Sequence, residues 1–186
     1  MNKLIIRVGF GVLAAGVLSN ASAIAKTLDA KAQPSMTLSS NQTLLAQASD
    51  VAIIAQNTQL LKSNGALAQK ILKKLGGTVP AQATPKGSPL EQNQTLILNN
   101  QKTFLAILAK VGGKAPTLPP KSGSDLAAQN NSLLKANGLV VAAIAQKLGV
   151  TLPPPASTAG SFPQQNNAIL LRNKASLDAI GKKVGA

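Results

Sequence analysis

The apolar positions of this chain recur at helical spacing, and they recur in blocks. The stretch "QNTQLLKSNG" at 56–65 returns as "QNQTLILNNQ" at 92–101, "QNNSLLKANG" at 129–138 and "QNNAILLRNK" at 165–174, at intervals of 36, 37 and 36 residues. Within the first block, positions 57, 61, 64, 68, 71 and 75 alternate steps of four and three. That is a heptad seam, the pattern of helices packed side by side. Aligning the blocks predicts six layers. Four are apolar: Leu61/Ile97/Leu134/Leu170, Ala68/Phe104/Val141/Leu177, Ile71/Ile107/Ile144/Ile180 and Leu75/Val111/Leu148/Val184. The other two are Asn57/Asn93/Asn130/Asn166 and Asn64/Asn100/Asn137/Asn173, which place amides in the middle of the apolar stripe.

Near-duplicate helices have a register problem, because any one can pair with any other at several offsets. An asparagine layer penalises each wrong offset by leaving an amide unpaired. The eight asparagines are therefore expected to fix register, amide meeting amide across neighbouring helices. An ion held inside an asparagine ring is the rival use. Asparagine in the core of an exported coiled coil resembles the stalks of trimeric adhesins, a likeness that covers the heptad pattern alone.

Terminal signals bound the helices. Ser88-Pro89-Leu90-Glu91 is a capping box with proline at the first helical position, and Asp125 and Ser161 hold the matching cap positions. Lys74, Lys110, Lys147 and Lys183 sit in the last turns, ahead of Gly76, Gly112, Gly149 and Gly185. The fold expected is all-α: four helices of about 22 residues in tandem repeats of about 36, joined by Pro/Gly-rich extended linkers. Thirteen extended residues reach ~40 Å, whereas a 22-residue helix is ~33 Å long. Each linker can thus return along a whole helix and start the next one parallel to it.

These signals divide the chain into a signal peptide at 1–23, a disordered segment at 24–40, a truncated repeat at 41–55, and repeats at 56–80, 88–113, 125–150 and 161–186. The offset of 16 residues between Asn41 and Asn57 does not keep one helical face, so a break is expected near Ala55. The signal peptide is read from the basic start "MNKLIIR", an eleven-residue apolar run at Val8–Leu18 and "ASA" at 21–23. It implies export to the periplasm or beyond.

Composition narrows the chemistry. Histidine, cysteine, tryptophan and tyrosine are absent, so an imidazole base, a thiol nucleophile and disulfide staples are all excluded. The five acids, Asp29, Asp50, Glu91, Asp125 and Asp178, are dispersed. The chain is expected to be no enzyme and to hold no metal or cofactor. Its net charge of +14 favours anionic partners. The contacts expected are Lys70, Lys73, Lys74, Lys110, Lys147, Lys182 and Lys183, facing an envelope polymer or a lipid surface. Nucleic acid is a weaker expectation, because there are no aromatic stacking platforms. The leading reading is a structural or interaction protein of the bacterial envelope that forms a homo-oligomer. The alternatives are a cationic membrane-active protein whose helices fold on anionic lipid, and a polyanion binder.

Overall fold

A computed structural model describes helical structure from Pro34 onward and side chains from Ala48 onward. The expected signal peptide lies outside the described residues. The chain divides into Met1–Thr43 and Leu44–Ala186, and all side-chain geometry below belongs to the second unit. Four helices follow one another: α1 (Pro34–Lys74), α2 (Pro89–Lys110), α3 (Leu126–Leu148) and α4 (Phe162–Val184). There is no strand among the described residues.

The helix starts behave as their chemistry requires. The Ser88 N–H donates to Glu91 Oε2 at 2.7 Å, and Glu91 N–H returns a longer bond to Ser88 Oγ. These bonds from Ser88 hold the Glu91 carboxyl below its ordinary value of 4.5. The Asp125 carboxylate caps α3 by accepting from Ala128 N–H at 2.9 Å. At the other ends Gly76, Gly112, Gly149 and Gly185 all have φ between 64° and 72°, the left-handed conformation that favours glycine.

Two expectations are corrected. α1 begins at Pro34, inside the segment expected to be disordered, and it runs unbroken past Ala55 to Lys74. Alanine, leucine, isoleucine and glutamine between 44 and 56 are good or tolerable helix residues, with neither proline nor glycine among them. A change of apolar face does not by itself stop a helix. α1 therefore starts 19 residues before the point, residue 53, that matches the start of α2.

Partner numbers fix the direction of packing. α1 pairs Asn57 with Pro163 and Asn64 with Leu170, and α2 pairs Asn93 with Ile54 and Asn100 with Leu61. α3 pairs Asn130 with Leu90 and Asn137 with Ile97, and α4 pairs Asn166 with Ala127. Partners rise together in the three helices that make two such bonds, linking α1 to α4, α2 to α1 and α3 to α2, so all four helices are parallel. Each helix leans on the one before it, and α1 leans on α4, so the ring closes within one chain.

The core follows the heptad layers. Leu61, Ile97, Leu134 and Leu170 form one apolar cluster with Leu133 and Ile169, and the layers from Ala68 to Ile180 form a second. The layer of Asn64, Asn100, Asn137 and Asn173 lies between them. Phe104, the largest core side chain, shares its layer with Ala68, the smallest, which keeps that layer's volume near that of its neighbours.

The connectors are docked. Asn99 grips the first by both amide groups, Nδ2 donating to Ala83 O at 2.8 Å and Oδ1 accepting from Ala83 N–H at 2.9 Å. Arg172 Nε donates to Pro154 O at 2.9 Å in the third. Val79, Leu118 and Leu152, one from each connector, pack on the larger apolar cluster. At the same register Asn99 and Ala136 are buried and Ser63 is exposed.

Candidate functional site: a hydrogen-bonded asparagine ring and a lysine-rich end

All eight register asparagines are buried, none more than 5% exposed. Their bonding differs from amide meeting amide. Seven of them donate Nδ2 to a backbone carbonyl of the neighbouring helix, at 2.9–3.3 Å. The backbone is the better partner because it lies at a fixed height on every helix, whereas a second amide must be aimed.

The first layer adds a second grip. Asn57 Oδ1 accepts from Asn167 Nδ2 at 2.9 Å, Asn93 Oδ1 from the Thr58 hydroxyl at 2.7 Å, and Asn166 Oδ1 from Asn131 Nδ2 at 2.8 Å. In each case the donor sits four residues beyond the carbonyl that the same asparagine bonds, so one amide spans one turn of its neighbour. Asn130 is the exception. The matching donor position holds Gln94, whose amide goes to Gln129 Oε1 instead, and Asn130 Oδ1 is buried without a partner. Thr58, Asn131 and Asn167 were not singled out from the sequence. Their signal was there, as a polar residue following each first-layer asparagine.

This asymmetry gives two identical substitutions opposite consequences. Asn166→Leu removes two bonds and strands the buried Asn131 amide, and an unmade buried hydrogen bond costs ~1–3 kcal/mol. Asn130→Leu strands no donor and removes an oxygen that had none. The first variant is expected to melt roughly 5 °C or more below the second. Gln94→Asn should supply the missing donor and raise stability by about 1 kcal/mol. Thermal denaturation of the three variants checks both statements.

Inside the first layer the helix axis leaves a cavity of about 10 Å³, lined by Asn57, Asn93, Asn130 and Asn166. That is space for about one water, and three of the four amide oxygens are already bonded. The ring holds helices together and leaves no room for a larger ligand. Among the described residues no three His, Cys, Asp or Glu side chains are grouped to hold a metal.

Parallel packing has an electrostatic consequence. All four helix C-termini share one end of the bundle, and Lys70, Lys73, Lys74, Lys110, Lys147, Lys182 and Lys183 share it with them, every one exposed. Each helix end carries about −0.5 charge, so four amount to roughly −2. Seven lysines exceed that by about five charges. Three of the described acids lie elsewhere, Glu91 and Asp125 at the starts of α2 and α3 and Asp50 bonded to Ser161 Oγ near the start of α4; Asp178, close to the height of Lys70, is offset by its ion pair with Lys174 at 2.8 Å. Lys114, two residues past Gly112, adds an eighth cation that the helix-end reading omitted.

The apolar faces of the four helices are turned toward one another, with the largest core side chains under 2% exposed. Among the described residues no helix is long and apolar enough to cross a membrane. Comparison with known protein families, with curated proteins and with solved structures found no match for this chain.

Proposed function

We propose that this is an exported, non-enzymatic helical module of the bacterial envelope. It presents the lysine-rich end of a rigid parallel bundle to an anionic surface or polymer of that compartment. The observation that carries this reading is the surplus of about five positive charges at one end after the helix dipoles are offset. Lysine suits the task, since its ammonium acts as a point charge toward phosphate or carboxylate and needs no matched planar partner. No large apolar side chain is exposed at that end: the exposed ones are Val51, Leu98, Leu139, Phe162 and Leu171. Adsorption there is electrostatic and does not insert into lipid.

Self-association belongs to the other end. The early part of α1 precedes the ring, and Val51 on it is 68% exposed. An apolar side chain that exposed on the packed bundle supports a second copy as its partner. Titration with phosphatidylglycerol vesicles and with phosphatidylcholine vesicles tests the anionic-surface reading. Binding to the first alone, weakening steeply with salt, is the expected result. Equal binding to both, or binding insensitive to salt, contradicts it.

A further inference from the structure

Two grooves on this bundle are built alike. One, of about 290 Å³, lies between α1, α2 and the first connector, and the other, of about 280 Å³, between α3, α4 and the third connector. A shift of 73 residues carries one lining onto the other. Lys62 becomes Lys135, Gly65 becomes Gly138, Leu96 becomes Ile169, and the connector's Ala83 becomes Ala156. In a closed ring of four helices these two seams are on opposite sides. The seam between α2 and α3 carries Gln101 where the other two carry glycine.

The glycines open the grooves, and packing accounts for only one of them. A Cβ on Gly65 would collide with Asn100 Oδ1. A Cβ on Gly138 would lie 3.8 Å from Asn173 Oδ1, an ordinary contact. Glycine inside a helix is unfavourable relative to alanine, so Gly138 weakens α3 at a place where no neighbour requires it. What it provides is the open groove.

The linings also agree in chemistry. Leucine or isoleucine and the Ala/Pro stretch of a connector give each groove a mainly apolar surface, interrupted by amides and hydroxyls such as Gln69, Asn99, Ser157 and Gln165; one exposed lysine stands at its rim, and no acid lines either. The volumes lie just below the range of about 300–1,000 Å³ for small-ligand clefts, which limits the occupant to a small one. A mainly apolar slot edged by cations and no acid, Lys62 in one groove and Lys135 with Arg172 in the other, matches an amphiphile with one anionic head. We propose that the two grooves bind single-chain anionic amphiphiles, of the size of a medium-chain carboxylate, two per protein chain. The groove at α3 and α4 binds more tightly, because Arg172 lines it while Asn99 occupies the matching place in the other.

The test is calorimetric titration of the whole protein with decanoate below its micellar concentration. Saturable binding of two equivalents per chain is expected. Gly138→Gln places in the tighter groove the residue that α2 already carries at that register, and should leave one equivalent, the weaker. Lys135→Glu, a surface change that leaves the helix intact, should weaken the same site at least tenfold, and circular dichroism confirms that both variants keep their helicity. Absence of saturable binding overturns the proposal, as does a stoichiometry of two that survives Gly138→Gln, or equal uptake of a decyl ammonium cation. Substituting Lys73 and Lys74 leaves decanoate binding unchanged if the grooves are the site, which separates this result from the fate of the lysine-rich end.

Discussion

Replacing Asn64, Asn100, Asn137 and Asn173 together with leucine is expected to raise the melting temperature by roughly 6–12 °C. Three of these asparagines, at 64, 137 and 173, have a buried Oδ1 that accepts no hydrogen bond. Each such oxygen carries an uncompensated desolvation penalty of ~1–3 kcal/mol. The carbonyls that the amides reach also serve the intrahelical ladder, so losing the amide does not strand them. Leucine is a residue the adjacent layer already uses, with Leu61, Ile97, Leu134 and Leu170 at 1–2% exposure. The gain in stability comes with a loss of uniqueness. Without the second layer, the two apolar clusters merge into one stripe that tolerates displaced pairings, and amide resonances should broaden or double. A variant that melts below the parent would show that the second layer is stabilising outright.

The second large effect concerns the lysine-rich end. Changing Lys73, Lys74, Lys182 and Lys183 to glutamate should weaken binding to phosphatidylglycerol vesicles roughly a thousandfold. Each basic residue near such a surface contributes about 1 kcal/mol, and tenfold in affinity is 1.4 kcal/mol. Reversing the charge does at least as much as removing it. The control is an equal change of net charge at Lys86, Lys102, Lys121 and Lys135, which are away from that end. If net charge alone governs binding, the two variants weaken alike. If the aligned helix ends govern it, the control keeps most of the parent's affinity.

Much of this arrangement was legible in the sequence. The heptad positions named five buried layers, because period and burial are the same fact for a packed helix; the sixth, Leu75/Val111/Leu148/Val184, is half-buried at the bundle end, and Leu72, Leu108, Val140 and Ala145 are buried beside the seam. The caps were legible for the same reason: Ser88, Glu91, Asp125 and the four left-handed glycines answer to local geometry. The length of the connectors pointed to parallel neighbours. What escaped is whatever depends on a second element. The amides' choice of backbone carbonyls needs the height of the adjoining helix. The missing donor beside Asn130 needs the knowledge that Gln94 reaches Gln129 instead. The continuity of α1 through Ala55 is hidden in the sequence because a shift of apolar face looks the same as a break in the helix. In the sequence Gly65 and Gly138 read only as residues that weaken a helix. Their separation of 73 residues, two repeats, was the available sign that they mark one structural feature twice.

The chain contains no cysteine, so a pair of introduced cysteines can carry spin labels without interference. Labels at Lys74 and Lys183 report on two helix ends that meet, since a Cβ placed on Gly185 would lie 3.6 Å from Lys74 Cε. Labels at Lys74 and Gln165, which lies level with Gln56, are 18 residues apart in register, about 27 Å along the bundle. A closed parallel ring predicts a short distance, about 20 Å, for the first pair and a longer one, about 30 Å, for the second, both independent of protein concentration. The reverse order of distances, or values that change on dilution, would contradict it.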